Sequence, residues 1–211
     1  MPHPTIKEGR YNVALLVMQG VYNTELVAPM DIFHHTQFRD SIRSMNVFTV
    51  AKTRVPLRTF EGLWLIPDFS YLNDTLPHID ILVVPSAEHH LDTDLEDSEM
   101  IEWVKNTGEK AQFVMSLCDG AFVLAKAGLL DSVRCTTFPD DIGSMRKMFP
   151  SLQVVDGVSF VHDGKCITSA GGDRSFDAAL YLCESLYGKK VADKLAHGLV
   201  IDWDLNKIKY Q

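Results

Sequence analysis

Unbroken apolar runs recur along this chain with helix-like segments between them, and that alternation most restricts what it can fold into. Residues 11–18 (YNVALLVM) form such a run. A strand with one wet face alternates apolar and polar residues, whereas an unbroken run is buried on both faces, as in a parallel sheet. Residues 45–51 (MNVFTVA), 79–85 (IDILVVP) and 111–117 (AQFVMSL) read the same way. Helical spacing follows at residues 25–35, 98–106, 119–130 and 140–148, the last ended by Pro150. Residues 154–161 and 165–169 read as strands around an Asp163-Gly164 hairpin turn, and residues 176–187 and 189–199 as closing helices. Residues 55–75 are the least regular stretch and have room for a small antiparallel excursion. Strands alternating with helices of this length predict βαβ units and an α/β three-layer sandwich with a mostly parallel central sheet.

The 211 residues suit a single domain, with residues 1–10 as a short polar N-terminal extension. A hydrophobic fraction of 46% with 23% charged residues is enough to bury a sizeable core, which excludes disorder as the main state. The 20 Lys and Arg against 28 Asp and Glu leave a net charge of −8, which opposes attraction to nucleic acid or to an anionic membrane. No apolar run reaches the roughly 18–20 residues of a membrane span, and the polar start does not resemble a signal peptide. Cys118, Cys135, Cys166 and Cys183 show neither CxxC pairing nor metal-ligand spacing. They read as free thiols in a cytoplasmic protein, and no motif requires a metal or cofactor.

Ligands of open α/β sheets bind beyond the carboxyl ends of the strands, so the residues just after each strand are the candidates. Cys118 follows the strand at residues 111–117 and precedes Asp119-Gly120 and a helix. A sharp turn there would present the sulfur, the helix N-terminus would favour thiolate, and backbone N–H groups could hold an oxyanion. The same residue could equally be a small buried hydrophobe. Cys135, Cys166 and Cys183 lie inside elements, where a packing role is expected. Asn23-Thr24-Glu25 opens the first helix; Asn23 or Thr24 could cap it, and Glu25 could serve its dipole or reach the crevice beside Cys118. His89 and His90 follow another strand and read either as solvated loop residues or as imidazoles at the crevice. Ala170-Gly171-Gly172 permits close backbone approach, but without the spacing of a nucleotide loop.

Residues 113–130 (FVMSLCDGAFVLAKAGLL) resemble the nucleophile segment of the ThiJ/PfpI superfamily, within the class I glutamine amidotransferase-like fold. Residues 25–33 (ELVAPMDIF) are similar to that superfamily's acidic helix, and residues 81–85 to the strand before its oxyanion loop. Residues 168–171, 175–180 and 185–192 continue the likeness, which runs from about residue 11 to residue 200. The resemblance implies a flavodoxin-like sandwich with a nucleophile elbow at Cys118 and makes Glu25 the acid that contacts its sulfur. It also implies backbone oxyanion donors at Ala87 and Asp119, a homodimer, and a small electrophile or oxidant as partner.

Three departures bear on the chemistry. Many members read Thr-Thr-His after the nucleophile helix, whereas this chain reads Thr136-Thr137-Phe138, and Phe138 cannot accept a proton. Ser86-Ala87 stands in place of a glycine pair in the oxyanion loop. Asp119 follows the cysteine, and an inward carboxylate there would raise the thiol pKa. The missing histidine argues against peptidase or amidase chemistry, in which a leaving amine needs a proton. His89 or His90 could act as a surrogate base. The expected activity is hydratase, glyoxalase or hydrolase chemistry with Cys118 as nucleophile and Glu25 as proton shuttle. The alternatives are a redox sensor that oxidises Cys118 to a sulfinate, or a ligand-sensing module. Related domains occur fused to AraC-type DNA-binding regions, but the acidic charge and the end of the chain at Gln211 argue against DNA binding here.

Overall fold

A computed structural model describes residues 2–211. Its main sheet has seven strands: β1 (Tyr11–Leu16), β2 (Met45–Ala51), β5 (Phe69–Ser70), β6 (Ile81–Val84), β7 (Phe113–Leu117), β10 (Phe160–Asp163) and β11 (Cys166–Ser169). They lie in the order β10-β11-β7-β6-β1-β2-β5. Every pairing is parallel except β10 with β11. The C-terminal segment covers the outer edge of β10, where the His162 N–H donates to the Gln211 carbonyl at 2.7 Å.

The apolar runs behave as two-faced strands. Along β1 and its extension, Val13, Leu15 and Val17 join one core, while Ala14 and Leu16 join the other. The helices α1 (Asn23–His34), α5 (Arg174–Tyr187) and α6 (Lys189–Gly198) contribute Ile32, Leu180 and Leu195 to the first core. The helices α2 (Ser98–Lys110), α3 (Gly120–Lys126) and α4 (Ile142–Met148) contribute Val104, Phe122 and Met145 to the second. This is the three-layer sandwich the alternation predicts. No helix of the described residues is long and apolar enough to cross a membrane.

The irregular stretch at residues 55–75 holds an antiparallel pair, β3 (Leu57–Arg58) with β4 (Trp64–Leu65), before β5 rejoins the main sheet. The expected strand at residues 154–161 is instead two pieces. Its start belongs to β9 (Gln153–Val154), which pairs with β8 (Arg134–Cys135), and its end belongs to β10. Gly157 separates them at φ 69°, a left-handed turn that a continuous strand could not contain. The helix expected at residues 119–130 is also shorter, because the chain turns at Gly128 with φ 75°.

Candidate active site

Four adjacent strands, β11, β7, β6 and β1, end at one edge of the sheet, and the loops leaving them carry most of the residues singled out in the sequence. Cys118 follows β7 with φ 53°, a left-handed conformation that costs a side-chain-bearing residue energy. Its surroundings hold it there. The Cys118 N–H donates to the Ser169 carbonyl of β11 at 3.0 Å. A Cβ on Gly120 would lie 2.0 Å from the Val84 carbonyl oxygen, and one on Gly171 would lie 2.3 Å from Cys118 Cβ. The glycine two residues after the cysteine and the first glycine after β11 thus let three strand ends meet at the elbow. The Gly171-Gly172 pair approaches the nucleophile.

Glu25, only 7% exposed, sits in the first turn of α1. Its Oε1 accepts the Gly172 N–H at 2.9 Å, across 147 residues of sequence. The expected cap from Asn23 or Thr24 is not formed: Tyr22 is the N-cap residue without a side-chain bond. The Asn23 N–H instead donates to Glu61 Oε2 at 3.0 Å, from the turn joining β3 to β4. A distant carboxylate thereby meets the helix end and leaves Glu25 turned to the crevice.

Electrostatics reverse the expected activation of the sulfur. Cys118 is 8% exposed, and burial pushes its thiol well above the ordinary range, with the Asp119 and Glu25 carboxyls adding to the rise. The Ser86 hydroxyl and the Asp119 N–H favour thiolate but do not prevail. A one-turn shift of dipole at the start of a seven-residue helix is small beside desolvation plus two acids. Asp119 points inward: the thiol donates to its Oδ2 at 3.8 Å, and Thr137 Oγ1 donates to its Oδ1 at 3.0 Å. Burial first, then repulsion from Asp141, raises the Asp119 carboxyl to about 6.

The two histidines part company. His90 is fully buried, and desolvation lowers it to about 3, so it is neutral near pH 7. Its Nδ1 accepts the Ala87 N–H at 3.3 Å and its Nε2 lies 3.0 Å from Met18 Sδ. The Ala87 amide therefore arrives at the crevice already engaged. The His89 side chain is 50% exposed and its Nδ1 lies 3.3 Å from Asp92, so it does not join the others. Phe138 is 38% exposed and supplies no proton acceptor.

Two further groups reach the site. Ser86 Oγ is buried, makes no hydrogen bond among the described residues, and faces the sulfur. The Tyr22 phenol is pushed up by burial, then by the charges of Cys118, Glu88, Asp119 and Glu25, which sets it among them. Its ring packs on Phe60 at 4.5 Å between centroids. Ser86 follows a strand as visibly as Cys118 does; nothing in the sequence marks Tyr22 beyond its place just before the acidic helix.

The model of the DJ-1/PfpI family matches residues 11–185, a span that contains all of these groups. Isonitrile hydratase of Pseudomonas putida is 28% identical over 183 residues, covering 85% of this chain and 74% of that protein. Protein dj-1beta of Drosophila melanogaster is 22% identical over 191 residues, covering 90% and 97%. In structure, a ThiJ/PfpI family protein from Pseudomonas syringae superposes with a TM-score of 0.78 at 24% identity, over 96% of this chain and 84% of the other. Drosophila DJ-1beta superposes at 0.76 with 20% identity, over 92% and 100%. With the family's match running from β1 into α5 and enclosing the whole elbow, the chain belongs to the DJ-1/PfpI family.

Proposed function

We propose that this chain is a cysteine-dependent enzyme acting on a small electrophile, with Cys118 as nucleophile and Glu25 as proton carrier. One observation carries the reading. Cys118 is held at φ 53° against Gly120 and Gly171, while Glu25 is fixed by the neighbouring Gly172 N–H. A strained backbone kept in place from three sides positions a reacting atom and contributes nothing to packing that a relaxed residue would not.

Hydration of an isonitrile suits this arrangement, and the resemblance to an isonitrile hydratase supports it. The sulfur bonds to the terminal carbon, and the carbon takes a proton from Glu25, giving a thioimidate. Water adds to that carbon, the C–S bond breaks, and an N-substituted formamide leaves. No leaving amine must be protonated before the carbon–sulfur bond forms, so an imidazolium is not required. The Asp119 N–H and the Ser86 hydroxyl, both directed at the sulfur, are the donors available to developing charge. The sensor reading has less support. Thiolate, not thiol, attacks peroxide, and burial together with the Asp119 carboxylate disfavours that anion.

The test is conversion of small neutral isonitriles to formamides, followed by proton NMR. Cys118→Ser should reduce turnover to the buffer rate and Glu25→Gln should lower it by roughly 10²-fold. Full turnover by Cys118→Ser would overturn the assignment.

We also propose that the active form is a homodimer. Val27 of α1 and Leu63, Trp64 and Ile66 of the β3–β4 segment are 41–70% exposed and line one apolar groove of about 330 Å³. A second copy of the chain would remove this surface from water.

A further inference from the structure

Resting on the cysteine-nucleophile reading above, we propose that the Asp119 carboxylate is the general base that takes the Cys118 proton, with Thr137 as its positioning residue. The elimination of imidazoles leaves the place open. His90 has both ring nitrogens engaged and is buried, His89 is turned to solvent beside Asp92, and position 138 is phenylalanine. Asp119 fills it by geometry: Oδ2 receives the thiol at 3.8 Å and Oδ1 is held by Thr137 Oγ1 at 3.0 Å. The same Thr137 hydroxyl lies 3.2 Å from the Cys118 carbonyl oxygen, which ties the carboxylate to the elbow's own backbone.

The charged and titratable groups facing Asp119 are Asp141, Cys118, Glu25, the Tyr22 phenol and, against its backbone, the neutral His90 ring, and none of them is a cation. Burial first, then repulsion from Asp141 and Glu25, brings the carboxyl to about 6 against the opposing hydrogen bonds of Thr137 and Cys118, so it is mostly ionised near neutrality yet basic enough to hold a proton briefly. A Cys–His pair reacts as thiolate and imidazolium. This pair starts as thiol and carboxylate, and the sulfur loses its proton only as it bonds to carbon.

In the addition step the S–H proton passes to Asp119 Oδ2 as the S–C bond forms. The electron pair left on the isonitrile carbon takes the proton of Glu25. In the hydration step the two protons of water and the one stored on Asp119 end on the nitrogen, the sulfur and Glu25, restoring the starting state. Because Asp119 rests ionised beside the thiol, the site should accept neutral or cationic electrophiles and reject anionic ones.

The experiment is the rate of Cys118 alkylation from about pH 5 to about pH 9 by neutral iodoacetamide and anionic iodoacetate, with Cys118→Ser as the blank. The wild type should show a rising limb centred near 6, a preference for iodoacetamide, and a solvent deuterium isotope effect. Asp119→Asn should be slower by roughly 10²-fold near pH 7, with the limb and isotope effect gone. Thr137→Val should move the limb without abolishing it. An Asp119→Asn protein that reacts as fast as the wild type or faster would show that the carboxylate only repels thiolate, and would overturn the proposal while leaving Cys118 as nucleophile. A Cys118 inert at every pH in the wild type would overturn the parent reading and this one with it.

Discussion

Cys118 and Cys183 are both buried, and burial pushes both thiols far above the ordinary range, yet they sit in opposite kinds of place. Cys183 is fully buried in the middle of α5, desolvation is the whole cause of its shift, and it belongs to the apolar core. Cys118 occupies a left-handed backbone position, and a hydroxyl, an amide N–H and two carboxyls face its sulfur. Burial thus separates neither residue from the other. What separates them is the arrangement of polar groups that would be costly to bury without a task.

The largest effect should come from attacking the support of the elbow. Gly120→Ala would force a methyl into the Val84 carbonyl, and we expect a loss of more than ~4 kcal/mol or failure to fold in urea denaturation. Gly143→Ala in α4, where a Cβ meets nothing within 4 Å and φ is likewise not left-handed, should leave stability unchanged or raise it by up to ~1 kcal/mol, and isolates the effect of the clash.

A smaller effect, of opposite sign, is expected at Asp119. Its folded pKa of about 6 lies above the ordinary aspartate value of 3.8, so ionising it costs the fold stability as pH rises through that interval. Asp119→Asn removes the cost and should stabilise the protein by roughly 1–3 kcal/mol above pH 6, a gain that disappears below about pH 4. Urea midpoints measured across that range would show it. His90 works in the other direction: buried neutral at about 3 against 6.5, it should withdraw stability as pH falls below about 6.5. His90→Asn should flatten that acid limb.

At the surface, Trp64→Glu should shift the chain toward monomer in sedimentation velocity while leaving its folding stability within about 0.5 kcal/mol. Smallest of all, His89→Ala should leave turnover and stability unchanged, since its ring is half exposed and lies against surface acids.

The continuous runs at β1, β6 and β7 announce a parallel sheet because only two-sided burial tolerates them, and a cysteine between such a run and a helix announces an elbow. What the sequence withholds is set by loops meeting across long separations. The Glu25–Gly172 bond, the Glu61 cap on α1 and the diversion of the Ala87 N–H onto His90 all depend on where other loops come to rest. The inward turn of Asp119 is of the same kind, because Thr137 holds it from a segment 18 residues away. A helix dipole alone favours thiolate, but at Cys118 burial and two acids outweigh it. The break at Gly157 shows the remaining weakness of pattern reading: an apolar stretch does not state which neighbour each half will pair with.

Cys118 rests as a thiol among carboxyls rather than as a preformed thiolate. The most direct test is the pH titration of thiolate absorbance in the ultraviolet, with Cys118→Ser subtracted from the wild type. No difference signal from Cys118 is expected between about pH 6 and about pH 9, because burial, Asp119 and Glu25 all hold the proton on sulfur. A difference signal with a midpoint below about pH 7 would contradict it.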